Sequence, residues 1–495
     1  MASTADSATS RVAEPSLAAR MSRLPSATPT QRRWLVLLGA LMLFDQADLN
    51  AFAYAAPAVR AQWDLSVGDI GILTSASFFG MFVGSTAGGW LADRYGRKWT
   101  IIGATFWYSA FSLACAFAVG MVDLTIYRVL TGAGLQAMVA VLLAYVAEMF
   151  PRHLRGRIQA LTLAVGLAGI PLMAWFSRFV IPTGPSAWRW IFVLGAGGVV
   201  IGIVSIWKLP ESVRWQEANG RGASAAPIVE KLEREALSLF GALPEPEEEG
   251  PIVKARTSEL FGRAYIRRTL VAAVMLTFLA VGFYGFNSWL PTLLVDHGLS
   301  ASQSLTYTSI LSLAAVPGAL FAWLFIDRWE RRRMLWIIES IVAVLMLVFG
   351  FTNSAVVLVA SGLLITLLLQ TGTAFVFTYL PEIFPTRLRG TGTGFVNGIG
   401  RIAGFGSGFL IAGVYAGLGY AAVFIVTAGA MALMGMTLGV FGERTTNRSL
   451  EQIATTTDPT EDVQARKAAG RTDEAVSPAR PTTLQRNLAD RTKCV

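Results

Sequence analysis

The sequence predicts an all-α membrane protein: twelve transmembrane helices in two six-helix bundles, built on an internal repeat. Three observations carry this. Hydrophobic residues make up 54% of the chain and charged residues 15%, against roughly 25% charged in an ordinary soluble domain. Twelve mostly apolar segments are each long enough to cross a hydrocarbon core of ~30 Å. The sequence also repeats itself at one fixed displacement, which divides those segments into six and six.

Residues 1–33 are rich in Ala, Ser, Thr and Arg and lack an apolar core, so they read as a disordered cytoplasmic tail and not as a cleavable signal peptide. The N-terminal bundle occupies 34–208, with segments near 34–59, 68–91, 99–119, 122–149, 158–181 and 189–208. Residues 209–268 are a charged cytoplasmic linker, with a helical-looking run at 227–240 followed by LPEPEEEGP at 243–251. The C-terminal bundle occupies 269–441, with segments near 269–290, 304–326, 334–352, 355–380, 392–417 and 420–441. Residues 442–495 are polar without apolar periodicity and read as a second disordered cytoplasmic tail.

The net charge of +9 is spread over short loops. With the N-terminus inside, the cytoplasmic loops hold Arg94, Arg97, Lys98, Arg152, Arg155, Arg157, Arg328, Arg331, Arg332, Arg333, Arg387 and Arg389, whereas the outer loops keep Arg60 and Arg189. That asymmetry follows the positive-inside rule. It predicts a multi-pass protein of the cell membrane with both termini cytoplasmic and no nucleic-acid partner. The two histidines, His153 and His297, lie in loops, and Cys115 and Cys494 are far apart. No metal cluster or activated nucleophile can be assembled from them, so an enzyme is excluded and no cofactor is expected.

The repeat is the most informative feature. DRYGRK at 93–98 matches DRWERR at 327–332, and AYVAEMFPRHLRG at 144–156 matches TYLPEIFPTRLRG at 378–390; both pairs are displaced by 234 residues. The same displacement carries Pro57 to Pro291, Ser66 to Ser300, Gln136 to Gln370 and Gly166 to Gly400. A charge that the scaffold of each half requires should occur twice. Asp93 and Asp327, Arg97 and Arg331, Glu148 and Glu382, and Arg155 and Arg389 do so, all at cytoplasmic helix ends. These eight are expected to form a cytoplasmic gate, pairing when it shuts. Asp45, Asp48, Arg128 and Arg401 fall instead on Leu279, Gly282, Gly362 and Leu167.

These motifs resemble the major facilitator superfamily. GGWLADRYGRK at 88–98 is similar to its signature between the second and third helices, and RVLTGAG at 128–134 to its fourth-helix motif. FDQADLNAFAYAAPA, GFYGFNSWLPTLL and GTGFVNGIGRIAG resemble more particularly the metabolite:proton symporters, including the aromatic acid:proton branch, although Gln46 stands where that branch has Gly. LPESVRW at 209–215 resembles sugar porters, which makes a sugar or polyol transporter the second reading. The Gly-Pro-x-x-Gly-Gly element of efflux antiporters is missing from the fifth segment, so drug efflux ranks last. The resemblance implies a proton-coupled symporter that imports a small organic, aromatic carboxylate by alternating access, with a small molecule, protons and the lipid bilayer as partners, and working as a monomer.

Charges inside the bilayer are costly and must face a cavity or a partner. Asp45 and Asp48 share one helical face about 17 and 21 Å from the cytoplasmic boundary. Arg128 enters from the other side to the depth of Asp48, so the two are expected to pair. Asp45 then lacks a basic neighbour in sequence, and burial favours its neutral form, which makes it the candidate proton carrier. Arg401 lies near the midplane with Asn397 on its face; a guanidinium fork there suits a carboxylate cargo. Tyr284, Asn287, Gln370 and Gln136 are the further candidates for cargo binding. Arg178 is expected to snorkel to the outer interface.

Overall fold

The computed structural model describes residues 15–246, 257–325, 329–385 and 388–443. Among these the chain is helical, with twelve helices or helix pairs long and apolar enough to cross a membrane. The first half contains α1 (Leu17–Ser22), α2 (Pro29–Trp63), α3 (Val67–Tyr95), α4 (Arg97–Ala116), α5 (Met121–Met149), α6 (Arg155–Leu167), α7 (Gly169–Val180), α8 (Arg189–Gly195) and α9 (Gly198–Lys208). The linker forms α10 (Val213–Ala218) and α11 (Gly222–Phe240). The second half contains α12 (Ile266–Asn287), α13 (Leu290–Asp296), α14 (Ala301–Ser312), α15 (Ala315–Phe325), α16 (Arg331–Phe351), α17 (Ala355–Glu382), α18 (Arg389–Leu418) and α19 (Tyr420–Phe441). The end of the molecule that carries the linker is called the linker face below, and the opposite end the far face.

The repeat is visible in how helices begin. Ser66 and Asp69 cap α3 reciprocally, and Ser300 and Gln303, their counterparts at the 234-residue displacement, do the same for α14. Such boxes satisfy backbone N–H groups that have no partner within the helix. The halves differ at the paired prolines. Pro57 lies inside the continuous α2, whereas Pro291 opens α13 just after the chain leaves α12 at Ser288 and Trp289.

Small residues set the packing that positions the site. A Cβ on Gly80 or Gly84 of α3 would run into the backbone of Val129 or Ala133 on α5, and one on Gly132 into Ser77. This close approach, typical of glycine stripes in membrane helices, places Arg128 of α5 against α3. Across the halves, Gly71 of α3 meets Ala412 and Gly408 of α18, and Gly404 meets Phe78. The outer surface is apolar, with Trp90, Trp107, Phe117, Trp190 and Trp207 exposed, as a lipid-facing surface requires.

Three expectations are corrected. The N-terminal segment is not structureless through residue 33: α2 already starts at Pro29, and α1 buries Ala19 and Met21 against the linker. Arg20 and Arg23 each reach Glu233 of α11 at 2.6 Å, and the Leu17 amide donates to Glu217 at 3.0 Å. Burial pushes the Glu233 carboxyl up, but hydrogen bonds from the two guanidinium groups outweigh it and hold it below the usual carboxylate range. Second, the linker is more ordered than expected, because α11 begins at Gly222 and buries Ala225, Val229, Leu232 and Ala236. Third, Arg178 does not snorkel freely: its Nε donates to Thr306 of the other half. Residues 1–14, most of LPEPEEEGP, Asp327, Arg328, Arg387 and nearly all of the C-terminal tail lie outside the described residues.

Candidate functional site between the two halves

The first group lies inside the N-terminal half. Arg128 Nη1 is 3.4 Å from Asp48 Oδ2, with both side chains 1% exposed or less. Arg128 Nε donates to Ser77 Oγ at 2.9 Å, Ser112 donates to the other Asp48 oxygen, and Phe192 lies under the guanidinium at 5.8 Å. A buried ion pair is tolerable when further hydrogen bonds serve both partners, and this one has them. Asp45, one turn away, is 2% exposed. Its Oδ2 accepts from Gln46 Nε2 at 3.0 Å, while its Oδ1 has no hydrogen-bond partner among the described residues. Arg401 and Asp48 are both near enough to act on it electrostatically.

The second group bridges the halves. Arg401 of α18, half-buried, donates from Nη1 to Tyr284 Oη of α12 at 3.0 Å and lies 3.6 Å from Met81 Sδ of α3. Tyr284 packs against Phe78 at a tilt of 57° with ring centres 4.4 Å apart. Among the described residues no carboxylate lies within ion-pair distance of Arg401. The result is a cation held by a neutral hydroxyl beside aromatic surface, at the seam of the two bundles.

The other candidates divide. Asn287 and Gln370 line one narrow cleft together with Asn50, Tyr54 and Ile170 of the first half. Neither Asn397 nor Gln136 lines it. Asn397 was expected beside Arg401, but its amide turns back on its own helix and donates to the Thr393 carbonyl at 2.9 Å. Gln136 is half-buried two turns along α5 from Arg128.

At the linker face five of the described duplicated charges form ion pairs within their own half. Arg97 is 3.2 Å from Asp93 and 3.0 Å from Glu148, and Arg331 is 3.1 Å from Glu382. Arg155 Nε donates to the Phe150 carbonyl at 3.2 Å, and Arg389 is half-buried at the start of α18. Two residues absent from the sequence reading complete the first cluster. Ser212 donates to Glu148, and Glu211 accepts the Arg97 and Lys98 amides at 2.8 and 3.0 Å, so it caps α4. Gly96, at φ +100°, makes the turn that permits this, a backbone state that side chains disfavour. The LPESVRW segment therefore braces this charge cluster.

Two further features were missed. Arg60 of α2 reaches Asp296 of α13 at 2.7 Å, joining the halves at the far face. Glu339 of α16 is fully buried, and neither carboxyl oxygen has a partner among the described residues.

Two six-helix halves with polar side chains reaching their seam have the architecture of a membrane transporter. The sequence model of the Major Facilitator Superfamily matches residues 37–408, and the chain belongs to that family. It is 29% identical to the niacin transporter NiaP of Acinetobacter baylyi, covering 85% of this chain and 95% of that one. It is 30% identical to the gallate transporter of Pseudomonas putida, over 78% of this chain and 86% of that one. The fold is shared with the inward-open xylose transporter XylE of E. coli, at a TM-score of 0.70 and 17% identity, covering 86% of this chain and 100% of that one. The protein is a multi-pass membrane transporter and not an enzyme.

Proposed function

We propose that the protein is a proton-coupled symporter that takes up a small aromatic carboxylate. The observation that carries this reading is Arg401: a half-buried cation with no carboxylate partner among the described residues, hydrogen-bonded to Tyr284 and set beside Phe78 and Met81. An anion with an apolar ring complements that environment, since a guanidinium in a low-dielectric site binds a carboxylate bidentately. Niacin and gallate, named for two relatives, are both aromatic carboxylates. Tyr284, Asn287 and Gln370 contribute the remaining contacts, with Asn397 and Gln136 as outer members.

Asp45 is the proton carrier in this reading. Asp48 is held by Arg128 and Ser112, whereas Asp45 has one amide contact and an oxygen with no partner among the described residues. Asp45, Asp48, Arg128 and Arg401 sum to zero charge, so one carboxylate entering with one proton leaves the cavity neutral. By the positive-inside rule the linker face is cytoplasmic. The named contacts between halves, Arg60 with Asp296, Ala174 with Ser309, Gly71 with Ala412 and Met81 with Arg401, run from the external end to the midplane. The structure is accordingly read as closed outside, with the eight linker-face charges gating the other end. The transporter works as a monomer in the cell membrane.

The test is uptake into proteoliposomes of benzoate-type acids, aliphatic acids and sugars, with and without an acid-outside pH gradient. Gradient-driven accumulation confined to aromatic acids supports the reading. Accumulation of sugars alone would replace it with the sugar-porter reading.

A further inference from the structure

A buried tyrosine stands beside the Asp45 and Asp48 carboxyls with nothing to bond. Tyr108 of α4 is fully buried, and its hydroxyl has no hydrogen-bond partner among the described residues; the Ser109 hydroxyl next to it is likewise unmatched. The niche is shaped to admit it. Gly134 of α5 lies against the Tyr108 Cβ, and a Cβ on Gly198 of α9 would run into the hydroxyl oxygen itself. Phe would fill the same ring space without burying an unmatched hydroxyl, which is destabilising. A buried polar atom kept in spite of that needs a partner in another state of the protein.

Three stretches of chain locate that partner. On α4, Tyr108 lies four residues before Ser112, about 6 Å nearer the linker face, and Ser112 donates to Asp48. On α2, which like α4 starts at the linker face, Asp45 lies three residues before Asp48, about 4.5 Å nearer that face. Where α8 passes into α9, Gly195 lies against Asp48 and Ser112, and Gly198, one turn nearer the linker face, lies against Tyr108. Tyr108 therefore stands at the level of Asp45 as Ser112 stands at the level of Asp48. Asp45, followed by Asp48, is the charged group that acts most strongly on the Tyr108 hydroxyl, and Asp45 Oδ1 is the carboxyl oxygen without a partner among the described residues. The charged groups facing the two are Asp48 on α2, Arg401 on α18 and, beyond Asp48, Arg128 on α5, while α8 and α9 present glycine.

We propose that Tyr108 is a positioning residue for proton release: its hydroxyl is the donor that Asp45 Oδ1 takes once that carboxyl has lost its proton. The proton passes from Asp45 to solvent on the side then open. Tyr108 keeps its own hydrogen and donates it, in a hydrogen bond, to the carboxylate left behind. Gln46 already donates to Oδ2, so the ionised group gains a donor on each oxygen. A hydrogen bond made to the charged form favours that form, and the hydroxyl eases release without touching the cargo. This rests on the reading of Asp45 as the proton carrier.

The experiment follows uptake of labelled 4-hydroxybenzoate into proteoliposomes carrying the unmodified protein or Tyr108→Phe, which keeps the ring. The outside is held acidic and the internal pH is stepped upward. Release into the lumen needs the carboxylate, so Tyr108→Phe should require an internal pH about one unit or more higher for half-maximal uptake, the size of a hydrogen bond to a charged group. Exchange of labelled for unlabelled acid, which needs no net proton release, should be unchanged. An unmoved midpoint, or accumulation and exchange that fall together at every internal pH, overturns the assignment and leaves the Asp45 reading standing. Asp45→Asn measured alongside tests that reading itself: if it still concentrates the acid, the carrier lies elsewhere and the assignment to Tyr108 falls with it. If the unmodified protein concentrates neither 4-hydroxybenzoate nor benzoate, the symport of aromatic acids fails and the assignment fails too.

Discussion

Arg60 and Asp296 tie the two halves together at the far face, with one guanidinium nitrogen 2.8 and 2.7 Å from the two carboxylate oxygens. Their counterparts at the repeat displacement are Leu294 and Gln62, so neither charge is a scaffold requirement of its half. A pair that joins halves and must part for the far face to open is expected to bias the conformational equilibrium. Asp296→Asn should shift the protein toward far-face-open states, whereas Asp93→Asn or Glu148→Gln, which break the linker-face cluster, should shift it toward linker-face-open states. Labelling of single cysteines placed on either side of the cavity reads both shifts, and identical labelling in all three variants would remove the gating assignment.

Arg401 should be required for cargo binding in a way that Lys cannot meet. Arg401→Ala should lose ligand-induced thermal stabilisation altogether. Arg401→Lys should recover little of it, since a point ammonium lacks the planar fork and cannot hold Tyr284 and a carboxylate together in that geometry. Thermal melts with and without an aromatic acid decide the matter, and unchanged stabilisation in Arg401→Ala contradicts the anion site.

Two buried carboxyls should respond oppositely to removal. Asp48→Asn leaves Arg128 buried without its counter-charge, and losing one partner of such a pair typically costs ~3 to 5 kcal/mol. Glu339 has no partner to lose among the described residues. Glu339→Leu should therefore raise thermal stability, on the order of 1 to 3 kcal/mol, by removing an unsatisfied polar group. Melting midpoints of both purified variants test this; a drop for Glu339→Leu would show that the carboxyl is held by something that stabilises it.

The clasp of α1 on α11 should open in acid. Glu233 is held below the usual carboxylate range when Arg20 and Arg23 are bound. Its contribution is then fully present above the unfolded value near 4.3 and disappears as pH falls through the lower folded value. A spin-label or fluorescence distance between α1 and α11 should stay constant from pH 7 to about 5 and lengthen only below about 4. Glu233→Gln should lengthen it at neutral pH.

The architecture was legible because hydropathy and the repeat report the same physical demand, that each half bury its backbone in lipid. Asp45, Asp48, Arg128 and Arg401 were legible for the converse reason: each is a charge in an apolar run with no copy in the other half. Glu339 meets the same criterion, since Thr105 is its counterpart, but it lies eight residues after Arg331 and was masked by the basic run RRRM. Arg60 and Asp296 sit at helix ends, where charge is ordinary, so nothing in one dimension marks them as a pair. The docking of α1 depends on Glu217 and Glu233, some 200 residues away. Asn397 shares a face with Arg401, yet its amide bonds its own backbone, a local competition that side-chain spacing does not reveal. The interruptions at Ala168 and at Ser288 leave hydropathy unchanged and were likewise invisible.

Whether Asp45 carries the coupling proton is decided by comparing net accumulation with exchange in Asp45→Asn proteoliposomes. With labelled 4-hydroxybenzoate and an acidic exterior, the unmodified protein should concentrate the acid. Asp45→Asn should show no accumulation above equilibration, while exchange of labelled for unlabelled cargo, which needs no net proton movement, persists. Accumulation by Asp45→Asn that still follows the pH gradient would move the proton to another carboxyl.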